Sequence, residues 1–240
     1  MKAPGMGNIN AEITSVLLHQ GASLVGFADI HELPANIRQG MNSAVSIAVS
    51  LDPTIIKGIG HGPTRAYYQE YRRVNSFLSQ LCIITAEVLQ QNGYHAVTIE
   101  PTVEVLNYDT LATELPHKTV ATRASMGWIG KSALLITEQY GAAVRLATVL
   151  CDAPCETGTP VNVSRCGKCR ECVICCPANA LSGNNWKAGI ERKLIYDAFA
   201  CCKTAQKLSG SIGIQATICG ICIYACPLTQ HYISGRSSGI

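Results

Sequence analysis

Two segments of the N-terminal half carry apolar residues at helical spacing. In residues 8–20 the apolar positions recur three or four residues apart, and Gly21 follows them. These positions are Ile9, Ile13, Val16 and Leu17. A longer pattern of the same kind covers residues 64–91 and stops before Gly93, a residue type that often ends helices. We therefore predict an α-helix over each segment.

The segments between and after these helices have strand character. They are short, rich in Val, Ile and Ala, and bounded by turn residues. The predicted strands are residues 23–30, 43–51, 95–100, 133–137 and 143–150, with a turn at Tyr140 and Gly141 joining the last two. A short helix is predicted over residues 115–124. Helices and strands that alternate in this order indicate a mixed α/β layer domain.

The chain changes character at residues 151–163, which are rich in Pro, Gly, Thr and Asp and are typical of a linker. We predict one domain over residues 1–155 and a second over residues 156–233. In the second domain, a helix over residues 187–208 would carry two adjacent cysteines. Residues 234–240 have the composition of a disordered tail.

The composition favours a compact protein that uses cysteine to bind metal. Of 240 residues, 48% are hydrophobic and 15% are charged, with a net charge of +3. The basic residues form no run, so we expect no nucleic-acid partner and no membrane surface. The chain has no apolar stretch of membrane-spanning length and no signal-peptide core, so we expect a cytoplasmic protein. Thirteen cysteines in such a reducing compartment indicate metal ligation rather than disulfides.

The first cysteine run has the spacing of a bacterial ferredoxin. Cys166, Cys169, Cys172 and Cys176 follow C-x2-C-x2-C-x3-C, and Pro177 completes the pattern. This spacing is typical of a [4Fe–4S] cluster whose fourth cysteine ligates a second cluster. Tetrahedral zinc is the alternative, but zinc does not call for the third cysteine or for the Cys-Pro ending. Cys175 falls outside the register and is predicted not to be a ligand.

The C-terminal region offers the ligands of a second cluster. Cys219, Cys222 and Cys226 follow C-x2-C-x3-C and precede a proline, and the doublet of Cys201 and Cys202 lies upstream. By the crossed logic of two-cluster ferredoxins, each run gives one cysteine to the cluster of the other. The first cluster would take Cys166, Cys169, Cys172 and Cys226. The second would take Cys176, Cys219, Cys222 and either Cys201 or Cys202, with Cys201 slightly preferred.

The segment that precedes the cysteine runs resembles a known family. From Lys118 to Ile136 the chain reads KTVATRASMGWIGKSALLI, followed by a predicted strand and then the double cysteine motif. Together these features resemble epoxyqueuosine reductase, which is related to the reductive dehalogenases. The resemblance covers roughly residues 105–227 well and the N-terminal part loosely.

The resemblance implies an α+β architecture and a second cofactor. An N-terminal α/β domain similar to nitroreductase-like folds would hold cobalamin, and a ferredoxin-like domain with two [4Fe–4S] clusters would supply its electrons. The fold analogy also suggests a flavin as a weaker alternative. The cofactor-binding residues implied by the motif are Arg123, Met126, Gly127, Trp128, Ile129, Gly130 and Lys131.

Candidate catalytic residues come from two places. Tyr67 and Tyr71 lie on one face of the long predicted helix, either as core residues or as a polar wall for a ligand. His117 is a candidate proton donor, with a surface or hydrogen-bonded histidine as the alternative. The position of the family's acidic proton donor aligns with Leu111, and Asp109 and Glu114 are further acidic candidates nearby.

Two functions from different classes remain at this point. The first is a cobalamin-dependent iron–sulfur reductase that takes electrons from a low-potential donor such as a ferredoxin or flavodoxin. The second is an electron-transfer protein or corrinoid activator that holds no cobalamin of its own and serves a corrinoid partner protein. The two differ in whether this chain binds cobalamin.

Overall fold

The computed structural model describes residues 8–102 and 109–235. The N-terminal part alternates helices and strands in the order α1, β1, β2, α2, α3 and β3. These elements are α1 Ile9–His19, β1 Leu24–Asp29, β2 Ser43–Ser50, α2 Pro53–Ile56, α3 Arg65–Gln91 and β3 Ala96–Ile99. A 3-10 turn at Lys57–Ile59 follows α2. The predicted helices over residues 8–20 and 64–91 and the first three predicted strands are confirmed within one or two residues.

The remaining elements follow from residue 117 onward. They are α4 His117–Arg123, β4 Trp128–Ile129, β5 Leu135–Ile136, β6 Val144–Cys151, α5 Glu171–Ile174, α6 Ala198–Ser211, α7 Ile221–Tyr224 and α8 Pro227–Ile233. A 3-10 turn at Arg192–Leu194 precedes α6. The fold is thus a mixture of helices and strands. The finer prediction, a nitroreductase-like domain followed by a ferredoxin-like one, stays a prediction.

The main sheet has four antiparallel strands in the order β1-β2-β6-β3. The central strand β2 is buried on both faces, because helices cover both sides of the sheet. Val45, Ile47 and Val49 join the cluster that includes Leu78 and Leu81 of α3. Ala44 joins a smaller cluster with Val120 of α4. This packing places α4, and the turn that follows it, against the sheet.

Two of the predicted elements are wrong in extent or in pairing. The strand predicted over residues 133–137 is only β5, and it pairs with β4 rather than with β6. The Gly130 N–H donates to the Leu134 carbonyl and the Ala133 N–H donates to the Gly130 carbonyl, and these two bonds hold the stretch in a tight turn. The helix predicted over residues 187–208 begins only at Ala198, because the Asp197 carboxylate caps its first N–H groups.

The predicted linker over residues 151–163 is bound to the N-terminal part along its length. Cys151 still belongs to β6, and Gly158 donates a backbone hydrogen bond to Phe27 at 2.9 Å. The Asn10 side chain is hydrogen-bonded to the backbone of Glu156 in both directions. Several backbone groups of the segment are therefore hydrogen-bonded to the N-terminal part.

The C-terminal cysteine-rich part shares a core with the N-terminal part. Ile218, Ile223 and Ile233 belong to the hydrophobic cluster of the main sheet. The Tyr232 hydroxyl donates a hydrogen bond to the carbonyl oxygen of Leu51 at 2.8 Å. The proposed division at residue 155 stays a prediction. Of the predicted tail, residues 236–240 lie outside the described residues. Within the described ranges, no helix is both long and apolar enough to cross a membrane.

Candidate metal centre

The first cysteine run forms a tight loop in which Cys166, Cys169 and Cys172 line one cavity. Gly167 adopts a left-handed backbone with φ +55°, and the Cys169 N–H bonds the Cys166 carbonyl at 3.1 Å. The short helix α5 then carries Cys172, and Cys176 follows one turn later. A compact loop of this kind presents several thiols at short sequence spacing.

Four of the predicted ligands line a cavity of about 360 Å³, which we call the first thiol cavity. They are Cys166, Cys169, Cys172 and Cys226. Three come from the loop and the fourth comes from the C-terminal run, where it precedes α8. This is the crossed set predicted for the first cluster. That these cysteines ligate iron stays a prediction.

A second cavity of about 200 Å³, the second thiol cavity, is lined by four more cysteines. They are Cys176, Cys201, Cys219 and Cys222. Of the doublet on α6, Cys201 belongs to this wall, and Cys202 is not among its described residues. Ser132 lines both thiol cavities, so the two lie side by side.

The thiols shift one another's acidity within and between the two sets. Burial, with the neighbouring thiols of Cys166 and Cys226, raises the pKa of Cys172 to about 12. Burial also raises the pKa of Cys222 well above its ordinary value, and Cys219 and Cys201 add to the shift. Because thiolates are the metal-binding form, metal uptake at these cavities would release protons.

Within the described residues, no group of three or more His, Cys, Asp or Glu side chains is placed to hold a single metal ion. Two features of the first thiol cavity nevertheless fit an iron–sulfur cluster. The Trp128 indole N–H, which is buried in the wall, has no hydrogen-bond partner among the described residues. A buried Lys131 also lines the cavity. A cube whose sulfur atoms accept hydrogen bonds suits this donor set.

The predicted cofactor-binding motif is divided among several cavities. Trp128 and Lys131 line the first thiol cavity, and Gly130 packs beside Cys166. Ile129 faces a different cavity. Met126 and Gly127 line a third, of about 400 Å³, bounded by Leu24 and Val25 of β1. The structure therefore does not gather these seven residues around one ligand-sized space.

The two cationic residues of that motif have partners within the protein. The Arg123 guanidinium pairs with Glu32 at 2.7 Å. The Lys131 ammonium donates hydrogen bonds to the carbonyl oxygens of Gly167 and Cys169, both at 2.8 Å. Lys131 therefore holds the first ligand loop, a contact that its place in the sequence does not reveal.

Two cavities next to the second thiol cavity form a candidate cofactor cleft. The Arg192 cavity, of about 320 Å³, and the Arg145 cavity, of about 230 Å³, share Pro116, Lys118 and Ala133. Lys118 and Ala133 also line the second thiol cavity. No acidic side chain is among the described residues of either cleft wall. The cleft is therefore lined by cations and apolar groups.

Lys118 is the residue of this cleft that the sequence analysis missed. Its ammonium donates a hydrogen bond to the Ala133 carbonyl at 2.7 Å and lies 5.9 Å from the Tyr196 ring centre. Burial, together with the nearby Arg192 guanidinium, lowers the pKa of Lys118 to about 8. The sequence signal for Lys118 is its position at the start of the family-like motif, directly after His117.

The structure gives His117 a hydrogen-bonded position in the Arg145 cavity wall. Its Nε2 donates to the Glu100 carbonyl at 2.9 Å, so Nδ1 accepts from the Thr148 hydroxyl, also at 2.9 Å. Burial lowers the pKa of His117 below its ordinary value, which favours the neutral ring. Both ring nitrogens are thus engaged, and a catalytic role stays a prediction.

The two tyrosines of α3 lie in different environments. Tyr67 is buried and packs near Gly220 of the second cysteine run. Burial raises the pKa of Tyr67 far above its ordinary value, although Arg145 opposes the shift. Burial also pushes the pKa of Tyr71 up, but the Arg145 guanidinium, 4.3 Å from its ring centre, and several hydrogen bonds leave it lowered. Neither tyrosine lines the candidate cofactor cleft among the described residues.

The other residues considered from the sequence lie in different places, and only one of them lines the cleft. Leu111 lines the Arg192 cavity, and its carbonyl accepts a hydrogen bond from Arg192 at 2.7 Å. Asp109 and Glu114 are exposed. Cys175 is also exposed, and its absence from the ligand sets stays a prediction; Cys82 is buried in the core.

Comparison with curated proteins finds epoxyqueuosine reductases. The chain is 44% identical over 70 residues to that of Listeria monocytogenes, a match covering 29% of this chain and 18% of the relative. It is 32% identical over 111 residues to that of Lactococcus garvieae, covering 46% and 31%. The matches thus span less than a third of these relatives' lengths. No protein-family model matches the chain.

Solved structures of two kinds share the fold. A catabolic reductive dehalogenase in complex with 3-bromo-4-hydroxybenzoic acid gives a TM-score of 0.67 at 18% identity, covering 90% of this chain and 31% of that one. Epoxyqueuosine reductase from Streptococcus thermophilus gives 0.59 at 19% identity, covering 93% and 67%. Another epoxyqueuosine reductase, solved with a modified tRNA stem loop, gives 0.61 at 18% identity, covering 92% and 65%. The chain is epoxyqueuosine reductase-like and reductive dehalogenase-like.

Proposed function

We propose that this epoxyqueuosine reductase-like chain is an iron–sulfur oxidoreductase that passes electrons through two [4Fe–4S] clusters to a cobalamin in the cleft at Lys118. The observation that carries the proposal is the order of the cavities. The first thiol cavity shares Ser132 with the second, and the second shares Lys118 and Ala133 with the cleft. Three redox groups placed in this order would form one pathway for electron transfer.

The ligand set of each cluster follows from the two thiol cavities. Cys166, Cys169, Cys172 and Cys226 would hold the first cluster. Cys176, Cys201, Cys219 and Cys222 would hold the second. In this arrangement electrons enter at the first cluster, whose ligand loop lies at the surface, and the second cluster faces the cleft.

The residues of the cleft suit a large cofactor with amide and phosphate groups. Lys118, Arg145 and Arg192 supply N–H donors, and Pro116, Ile129 and Ala133 supply apolar contact. Cobalamin would supply a reducible metal centre there, while the protein supplies binding and orientation. The chain's own part would be to hold the ring against the second cluster and to restrict water.

A second candidate function is electron transfer without a cobalamin of its own. The exposed Ile174, which is 74% accessible between two predicted ligands of different clusters, favours this alternative. Such a side chain contributes to a partner contact when it belongs to a larger exposed apolar patch. The partner would be a ferredoxin or flavodoxin as donor, or a corrinoid protein as acceptor. A flavin in the cleft remains a third, weaker possibility.

The deciding experiment is an anaerobic analysis of the reconstituted chain for iron, zinc and cofactor binding. About eight irons per chain are expected from two cubes. Hydroxocobalamin is then titrated and followed by visible absorbance, with a flavin titrated in parallel. Saturable cobalamin binding supports the reductase. Iron without cobalamin binding supports the electron carrier, and zinc in place of iron would overturn both.

Nucleic acid is tested in the same preparation. One structural relative was solved with a tRNA stem loop, so the sequence-based expectation of no nucleic-acid partner needs its own measurement. A gel-shift titration with a tRNA stem loop and with an unrelated RNA of equal length decides it. Selective retention of the tRNA stem loop would contradict that expectation.

A further inference from the structure

Lys131 is an almost fully buried cation in the wall of the first thiol cavity. Only 5% of its surface is accessible. Its ammonium bridges the carbonyl oxygens of Gly167 and Cys169, both at 2.8 Å, so it joins the two ends of the first ligand turn. The side chain therefore fixes the backbone that presents Cys166 and Cys169.

No carboxylate in the described ranges forms an ion pair with this ammonium. Glu138 lines the same cavity, but its carboxylate pairs with Arg165 at 2.9 Å. Burying a charge without an opposite charge is costly. A cluster held by four thiolates is an anion, and in the first thiol cavity it would provide the missing negative charge.

The neighbouring Trp128, whose side chain lines the same cavity, carries a second N–H donor. Its indole N–H is buried and has no partner among the described residues, and its side chain lines the cavity. Buried N–H groups without a partner are rare in folded proteins. Hydrogen bonds to cluster sulfur atoms are one of the features that set the reduction potential of such clusters.

The glycines of this turn allow the close approach. A Cβ at Gly130 would lie 2.7 Å from the Ile136 side chain and 3.4 Å from the Cys166 sulfur. A Cβ at Gly127 would clash with the Ile136 carbonyl. The segment from Gly127 to Lys131 can therefore pack directly against β5 and the first ligand loop.

We propose that Lys131 and Trp128 are positioning residues for the first cluster and that they raise its reduction potential. Reduction adds one negative charge to the cluster, and a buried ammonium and an N–H donor stabilise the reduced form more than the oxidised one. The inference deepens the proposed function and rests on it. It assigns Trp128 and Lys131, two residues of the predicted cofactor-binding motif, to the first cluster rather than to the organic cofactor.

The test measures the reduction potential of the assembled cluster, because a residue that only holds the loop in place would not change that potential. Full-length chains are reconstituted anaerobically, analysed for iron and sulfide, and titrated potentiometrically with EPR detection. Lys131→Met removes the charge and the donor at similar length. Lys168→Met is the matched control, since Lys168 is exposed and lies in the same ligand loop.

We expect Lys131→Met to lower the midpoint potential of one cluster and to leave the other unchanged. Lys131→Arg keeps a charged donor, so its midpoint potential should lie close to that of the wild type. Lys168→Met should have the wild-type potential. Trp128→Phe keeps an aromatic ring but removes the N–H donor together with the five-membered ring of the indole, and it should lower the same potential by a smaller amount. This variant decides the question if Lys131→Met fails to fold.

Three results would count against the inference, each in a different way. Equal potentials in Lys131→Met, Trp128→Phe and wild type, with about eight irons in wild type, would overturn the inference and leave the proposed function standing. A wild-type chain that takes up no iron would overturn both. Reduced iron content in Lys131→Met with an unchanged potential in the assembled fraction would also count against it.

Discussion

Cys201 lines the second thiol cavity, whereas Cys202, the next residue on α6, is not among the described residues of that wall. Neighbouring side chains on an α-helix point about 100° apart, so one cavity accepts only one of a doublet. Burial, followed by the nearby Cys176 and Cys219, raises the pKa of Cys201. Cys201 therefore meets the other three thiols, and Cys202 lies beside them.

Replacing each member of the doublet tests this relationship. Cys201→Ser should lower the iron content from about eight to about four per chain, because one cube loses a ligand. Cys202→Ser should keep nearly all of its iron, as the side chain is not needed for the cavity. Iron and acid-labile sulfide are measured after identical reconstitution. Equal losses in the two variants would show that the helix is oriented differently.

Double substitutions test the crossed ligand sets. Cys166 and Cys226 are distant in sequence but line one cavity, so Cys166→Ser with Cys226→Ser should lose no more iron than either alone, about four. Cys166→Ser with Cys222→Ser should lose both clusters. Such non-additivity is expected only for residues that act on the same unit. If Cys226 instead belonged to the same cluster as Cys222, both double variants would lose both clusters.

Cysteine spacing predicted much of this arrangement because ligand loops are local. The two runs each fix three thiols within a short segment, and the crossed fourth ligand follows from the ferredoxin pattern. The long helix α3 and strand β2 were equally predictable, since their apolar positions follow one period. Both depend on neighbours in sequence.

The roles of Lys118 and Lys131 were not predictable, because they depend on distant contacts. Lys131 bonds carbonyl groups that are 36 and 38 residues away. The tight turn at Ala133, with φ +59°, prevents the strand that the apolar run suggested. The start of α6 likewise depends on a cap at Asp197 rather than on periodicity. Backbone contacts and caps of this kind leave little trace in hydrophobic patterning.

A substitution in the cleft tests where cobalamin binds. Ala112 lines the Arg192 cavity and neither thiol cavity, so Ala112→Trp should fill part of the cleft without disturbing the clusters. We expect full iron content and cobalamin binding at least about tenfold weaker, which corresponds to about 1.4 kcal/mol. The exposed Ala188→Trp serves as the control. Unchanged cobalamin affinity in Ala112→Trp would place the cofactor elsewhere.

Because His117 is buried with a lowered pKa, we expect the stability of the folded protein to depend on pH. Its pKa is lowered by burial, so the folded protein favours the neutral ring that bonds Thr148 and Glu100. The unfolded chain binds the proton more readily, so this contribution is complete above the ordinary pKa of 6.5 and is lost as pH falls below it. The thermal unfolding midpoint of the wild-type protein should therefore decrease as the pH is lowered from about 7.5 to about 5.5.

Replacing His117 isolates that contribution. His117→Gln should reduce the pH dependence of the midpoint across this range, whereas the exposed His19→Gln should retain it. Both variants are reconstituted in the same way, so that acid effects on the clusters are common to all three proteins. The same slope in all three would mean that other groups produce the dependence.

Gly220 allows the most specific test of the second ligand run. Both runs begin with Cys-Gly-x-Cys, and both glycines have left-handed backbones, with φ +55° at Gly167 and φ +88° at Gly220. A Cβ at Gly167 would meet no atom within 4 Å, but a Cβ at Gly220 would lie 2.6 Å from Ile59 and 3.2 Å from Tyr67. Ile59 and Tyr67 are buried and have little room to move. Gly167→Ala should therefore cost about 1–2 kcal/mol of backbone strain and keep both clusters.

Gly220→Ala carries the same strain and a clash that displaces Cys219 and Cys222. We expect it to lose about four irons per chain while the first cluster's EPR signal remains. If both glycine variants lost the same amount of iron, backbone strain alone would explain the effect. In that case the packing of α3 against the second run would have no part in holding its ligands.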